Sequence, residues 1–422
     1  MKNYFIFFSI LLVLGCEPGG NTGDPFCHFK TADELPETFG LQDPFIDAIG
    51  EKIISIEQWE SQRTYLKKML THYLYGEVPP IPESIEIEPI SSRIIFQDSI
   101  LEETFYIVIK RNKKKAKFKT GIRRPNRDGK FALVIKNDSF IFDLSEVENE
   151  GTRKKYRELK RDKIEDYVAR EACRRGYVIC KFNRDEAAAD NKTSKSSGVF
   201  KLYDDYDWGT IAAWAWAYSI IIDHLEKKPY IDPDKIVATG HSRGGKTALC
   251  AGVYEERIAV TAPNSSGAGG TASWRHFDPE QDQQRIQDHK KKFQHWWNPN
   301  IFSFAGKEAK MPFDAHFQKA LISPRGLINP HSREDYHANP YGTYLTYLAA
   351  DVVFHWMGAG GNQGVHWRNG PHNQNEEDWL ALFEFCDQYF FGKKTNMDFT
   401  KNPNPEKYHL KNLEFFEAPV SE

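Results

Sequence analysis

The sequence is short of most signals that fix a function early. Six of its 422 residues are cysteine, and no two form a C-x-x-C pair or sit in a histidine cluster, so no zinc-ligand spacing is present. Apart from Cys16, five thiols remain (Cys27, Cys173, Cys180, Cys250 and Cys386), an odd number that cannot all pair. Cys173 falls in a helical pattern and Cys180 in a strand pattern, so no bridge between them is expected. The formal net charge is only −3, and no basic patch is interleaved with aromatics, which leaves no case for nucleic acid. There is no internal repeat and no Pro/Ser-rich linker after the N-terminal stretch. No metal or cofactor is called for.

The first residues read as a targeting segment. A short basic start, Met1-Lys2-Asn3, precedes an apolar run at 4–14 that is too short and too early for a stable span. Leu12-Val13-Leu14-Gly15-Cys16 resembles a bacterial lipobox, which implies cleavage before Cys16 and lipidation of its thiol. The expectation is a signal peptide at 1–15, a lipidated tether at 16–27, and one catalytic domain at 28–422. Such a protein would sit in the bacterial cell envelope, periplasmic or on the outer-membrane surface, as a monomer held to the membrane by its lipid.

Aromatics are abundant. Ten tryptophans and nineteen tyrosines suit stacking on sugar rings, although core packing alone can use many of them. Apolar periodicity gives a helix at 58–75, alternating strands within 85–110, and a continuous apolar strand at 131–135. A helix at 165–174, a strand at 177–180 and a long helix at 207–225 follow. Strands at 235–239, 258–262 and 320–322 come next, then an apolar stretch at 347–356 that leads to a Gly-rich loop, and a closing helix at 378–391. Strands alternating with helices predict an α/β fold: a mostly parallel central sheet, helices on both faces, and an antiparallel N-terminal extension. Residues 111–119 read as a solvated, lysine-rich hairpin tip. Residues 274–312, polar and aromatic, read as an insertion that is either a lid or substrate wall, or a surface loop anchored by tryptophans.

The densest signal is Gly240-His241-Ser242-Arg243-Gly244-Gly245-Lys246. It follows a strand pattern and precedes a helix-forming run. Strand, G-x-S-x-G and helix make a nucleophile elbow, in which a strained turn exposes the serine oxygen at a helix N-terminus. A serine hydroxyl needs a base, and the base needs an acid to orient it. In elbow hydrolases the chain order is serine, acid, histidine. His372, in Arg368-Asn369-Gly370-Pro371-His372, stands where that base belongs, with His366 as local rival. For the acid, the turn Pro263-Asn264-Ser265-Ser266-Gly267 holds no carboxylate. The later segment Ser332-Arg333-Glu334-Asp335 offers Asp335, with Glu334 behind it.

Gly240-His241-Ser242-Arg243-Gly244-Gly245-Lys246-Thr247-Ala248-Leu249 resembles the nucleophile motif of the glucuronoyl esterases, carbohydrate esterase family fifteen. Further segments match in order: Asp43-Pro44-Phe45, Tyr75-Gly76-Glu77-Val78-Pro79, Trp208-Gly209-Thr210, Ser266-Gly267-Ala268-Gly269-Gly270, Leu321-Ile322-Ser323-Pro324-Arg325, and Gly370-Pro371-His372 with Glu377-Asp378-Trp379. The resemblance implies an α/β-hydrolase three-layer sandwich that cleaves esters between 4-O-methyl-glucuronic acid on glucuronoxylan and lignin alcohols. By the same resemblance Ser242 is the nucleophile and His372 the base. Arg243 supports the oxyanion, and Lys246 and Glu280 contact the sugar. Two positions depart from the family. Ser265 stands where many members carry the triad glutamate, and Asp335 matches the alternative site after the later strand. His337 replaces a frequent substrate-stacking tryptophan. Other readings are a carbohydrate acetyl or feruloyl esterase, and a glycan-binding lipoprotein without catalysis.

Overall fold

The computed structural model describes residues 29–147, 149–278, 281–406, 408 and 416–419. Cys16, Cys27 and Glu280 lie outside them, as do the signal and tether segments.

Helix α1 (Ile56–Leu70) opens with a capping box in which Ser55 and Gln58 satisfy each other's free amides. Three antiparallel strands follow: β1 (Ser84–Ile95), β2 (Ile100–Arg111) and β3 (Lys114–Pro125). Asn112 and Lys113, with φ of 49° and 63°, form a two-residue turn whose twist matches the strands. The lysine-rich stretch at 111–119 is therefore mostly strand and not a solvated tip. Its lysines alternate with Ala116 and Phe118, both buried, which is a period of two.

The chain then alternates strand and helix through β4 (Phe131–Asp138), α2 (Glu150–Glu158), α3 (Arg161–Arg175), β5 (Tyr177–Asn183), α4 (Arg184–Ala187), α5 (Thr210–Leu225), β6 (Ile231–His241), α6 (Arg243–Tyr254) and β7 (Val260–Asn264). After the inserted segment, with α7 (Ile286–Lys292), come α8 (Ala315–Ala320), β8 (Gly326–Ser332), α9 (Pro340–Trp356), β9 (Gln363–Arg368) and α10 (Glu376–Phe391). The described strands form one sheet in the order β1-β2-β3-β5-β4-β6-β7-β8-β9. The pairs from β5 through β9 are parallel, and those of β1 to β3, with β3 on β5, are antiparallel.

Alternate residues of the central strands serve opposite layers. Leu133, Ile135, Ile236 and Ala238 join the core that holds α5 and α6. Ala132, Val134, Val237 and Val260 join the core of α3 and α10. A strand covered on both faces loses its polar alternation, which explains the unbroken apolar run of β4. The two sheet edges are guarded in different ways. β1 carries charged side chains and a register shift between Pro89 and Ser91. β9 receives a hydrogen bond partner from the C-terminal segment, Val365 N to Phe399 O at 2.6 Å.

One further sequence expectation needs correction. Residues 320–322 end helix α8 and the turn after it; the strand is β8. Asp314 caps α8 through its carboxylate, fixing that start, while Pro330 and His331 disguise β8. The apolar stretch at 347–356 belongs to helix α9, and β9 follows the Gly-rich loop. Among the described residues no helix is long and apolar enough to cross a membrane. Cys173, Cys180, Cys250 and Cys386 are buried free thiols.

Candidate active site

Ser242 occupies the turn between β6 and α6 with φ 58° and ψ −120°, a strained region for a residue with a side chain. Such a conformation costs roughly 1–3 kcal/mol and persists only where its surroundings enforce it. The enforcement is visible. Ser242 N donates to Asn264 O of β7 at 3.0 Å. A side chain at Gly240 would place its Cβ 2.3 Å from Gly244 O, and one at Gly244 would meet Asn137 Oδ1 at 2.6 Å. Only glycine allows the chain to fold back so tightly here. Helix α6 begins at the next residue, so its N-terminal dipole acts on charge developing at the serine.

The histidine loop is wound around one arginine. Arg368, at the end of β9, pairs with Asp378 of α10 at 2.6 Å, both fully buried. Its guanidinium also donates to the carbonyls of Asn369 (2.9 Å), Pro371 (3.3 Å) and Asn373. The loop is laced to the end of β8 as well: Ser332 Oγ donates to Gly370 O, and Gly370 N donates to Glu334 Oε2 at 2.9 Å. This fixes His372, whose Nδ1 lies 2.5 Å from Asp335 Oδ2. The Asp335 side chain is 2% exposed and that of His372 38%. Burial works to raise the Asp335 carboxyl, but the hydrogen bond and charge of His372, with His331 nearby, outweigh it and hold the acid below its ordinary value. Glu334 binds the loop backbone and not the imidazole. His366 lies within β9 in register with Pro330, away from this pair.

Two groups to which the sequence gave no role, His241 and Asp190, complete the setting. His241 packs on His372 with ring centroids 4.5 Å apart, and its Nδ1 lies 2.6 Å from Asn264 Oδ1. Burial, then the neighbouring His372, keeps His241 neutral, well below the usual histidine range. Arg243 points its guanidinium at Asp190, which also accepts from Trp296 Nε1 at 2.7 Å and meets His295 Nε2 at 3.0 Å. The Arg243 guanidinium lies 5.0 Å from the Trp296 ring and 5.7 Å from that of Phe293. No local signal marks Asp190 in the sequence, because its partners are 53 to 106 positions away.

The inserted segment is anchored by its tryptophans: Trp274, Trp296 and Trp297 are buried, and Trp297 Nε1 donates to His289 Nδ1 at 2.9 Å. It also forms a wall, since Trp296 meets both Arg243 and Lys246. Lys246 is 2% exposed and gives its ammonium to Ser266 O, with Gln284 Oε1 at 3.5 Å. Burial, followed by the charge of Arg243, pushes it down to about 7. His337 is exposed, and its carbonyl accepts from Gln284 N at 3.3 Å. Ser265, with φ 41° and 1% exposure, has a hydroxyl without a hydrogen-bond partner. Ser242, Arg243 and His372 line one cavity of about 460 Å³; Lys246 and His337 do not line it.

The sheet order and the strained serine turn define an α/β-hydrolase. A family model described as "Glucuronyl esterase, fungi" matches residues 164–358. A carbohydrate esterase from an unknown prokaryotic organism is 27% identical over 405 residues, covering 84% of this chain and 90% of that protein. A 4-O-methyl-glucuronoyl methylesterase of Podospora anserina is 31% identical over 298 residues, 68% of this chain; the chain spans about half of that enzyme's length, 54%. The solved structure of a glucuronoyl esterase of carbohydrate esterase family 15 from Caldicellulosiruptor kristjansonii is 25% identical with a TM-score of 0.71, covering 92% of this chain and 98% of that one. In sequence and in fold the chain is similar to the glucuronoyl esterases over most of its length.

Proposed function

We propose that this protein is a serine esterase that hydrolyses the ester of a uronic acid carboxyl, with 4-O-methyl-glucuronoyl esters of a xylan-type polysaccharide as the substrate class. The observation that carries the reading is that the strained Ser242 and His372, itself held by Asp335, line one cavity. Asp335 holds the Nδ1 proton, which leaves Nε2 free to take the proton of Ser242 Oγ. Ser242 then attacks the ester carbonyl. The N-terminus of α6 and Arg243 stabilise the tetrahedral oxyanion, and His372 returns the proton to the departing alcohol. Water repeats the cycle on the acyl-enzyme. Asp335 stays ionised throughout and stabilises the imidazolium.

Hydrolysis of benzyl glucuronate beside 4-nitrophenyl acetate, with Ser242→Ala as control, tests the reading. Serine-dependent cleavage of the uronate ester is expected. Cleavage of the acetate alone would overturn it in favour of another carbohydrate esterase. The proposal extends to 28–422 as one catalytic domain and, outside the described residues, to Cys16 as a lipid attachment point in a cell envelope. Cys16→Ala is expected to move the protein from the membrane to the soluble fraction.

A further inference from the structure

The cavity beside Ser242 extends to a group of charges that the proposed cycle does not use. Besides the Arg243 of that cycle, its walls include four cations, Lys136, Lys155, Arg161 and Arg184, against three carboxylates, Asp138, Asp185 and Asp190. The carboxylates are mostly engaged. Asp190 serves Arg243, His295 and Trp296. Asp138 Oδ2 lies 3.2 Å from Lys136 Nζ, 2.5 Å from Arg161 Nη2 and 3.6 Å from Lys181 Nζ. One carboxylate thus faces three cations, and among the described residues only Lys181 has another acid within ion-pair distance, Glu165 at 2.7 Å. Aromatic faces cover much of the remaining positive charge: Arg161 lies 4.2 Å from the Tyr156 ring, and Lys136 lies 5.4 Å from that of Trp379.

Arg184 is the least satisfied. It is 9% exposed, its Nε has no hydrogen-bond partner, its bond to Asn137 Oδ1 is 3.4 Å long, and the Asp185 carboxylate stands off at 3.7 Å. A buried guanidinium with a free donor is costly unless something completes it. An excess of cations around a cavity, one of them short of partners, is a site for an oxyanion.

The anion cannot be the reacting carboxyl, which is an uncharged ester until it is cleaved. His372 protonates the leaving oxygen, so the alcohol lies against the wall His372-Asn373-Gln374. That wall encloses the same cavity as Lys155, Tyr156 and Arg161. We propose that this cavity is a binding site for an oxyanion, a carboxylate or sulfate, carried by the alcohol portion of the ester, held by Arg184, Arg161, Lys136 and the rim residue Lys155. The inference rests on the esterase reading above.

The test compares three glucuronate esters of benzyl alcohols that bear a 4-carboxylate, a 4-sulfonate or a neutral 4-carboxamide. A preference for a charged ester on the order of tenfold in kcat/KM is expected, the size of one charge-assisted hydrogen bond. The better of the two anions tells a carboxylated from a sulfated alcohol. Arg184→Gln should shrink the ratio of charged to neutral ester. Should that buried variant not fold, Lys155→Ala at the exposed rim should shrink it as well. Equal rates on all three esters would overturn the proposal, and an unchanged ratio in the folded variants would overturn the location. Inorganic sulfate gives a readout independent of turnover. It should raise the melting temperature of Ser242→Ala and lose that effect when Lys155→Ala is added. Failure to cleave any ester would sink the esterase reading, whereas sulfate without effect would sink this site.

Discussion

Two neighbouring strand ends, those of β7 and β8, lie beneath the histidine loop and differ in what they offer it. At the end of β7 stands Ser265, with a left-handed φ of 41° and a buried hydroxyl that has no partner. Beyond the end of β8 stands Asp335, 2.5 Å from His372 Nδ1. The strands are adjacent, and Ser265 N donates to Pro330 O of β8 at 3.1 Å. If the orienting acid is a requirement of the imidazole and not of one strand, a carboxylate reaching from the β7 side is expected to serve it as well.

The comparison can be broken by substitution, beginning with its common partner. Ser242→Ala should lower kcat by about a millionfold on benzyl glucuronate, because the nucleophile acts as one unit with its base. Retained turnover would mean that neither strand end matters. Asp335→Asn comes next, with a loss on the order of ten-thousandfold from the wrong tautomer of His372. The sharper form is Ser265→Glu in an Asp335→Ala background. Recovery of kcat by roughly a hundredfold is expected if β7 is an equivalent address; no recovery restricts the acid to β8.

Arg243→Ala should cost on the order of a hundredfold in kcat with a smaller change in KM, as expected for one oxyanion donor. A smaller effect again concerns stability. Burial holds Lys246 at about 7, against an ordinary 10.5. Between those values the folded state binds fewer protons than the unfolded one, so this group makes stability rise as pH rises. Urea unfolding at pH 7 and 9 should show wild type gaining up to about 2 kcal/mol relative to Lys246→Met. A constant difference would mean that the ammonium is not desolvated. Ser265→Ala should do least: kcat within about twofold and stability unchanged or slightly higher, since it deletes an orphan hydroxyl.

The elbow, its flanking strand and helix, and the His372 and Asp335 positions were readable because each rests on local chemistry: glycines a turn requires, a histidine before the last helix, a carboxylate after a strand. Long-range pairs were not. Asp190 meets Arg243 only because the loop after α4 lies beside the start of α6, and Arg184 enters the cavity only because β4 and β5 are neighbours. Helix α2 is polar with no buried residue, so it leaves no apolar stripe to read. β8 was misplaced because Pro330 and His331 are not strand-like, although β8 is buried throughout. The lysines of β3 drew attention from the alternation between them.

The two guarded margins of the sheet bear on how this protein tolerates crowding. A free strand edge is a template on which another chain can add. Here one margin is charged and kinked at Pro89, and the other is already taken by the segment around Phe399. Copies concentrated on a surface would meet each other at borders unsuited to strand addition, which disfavours edge-to-edge pairing.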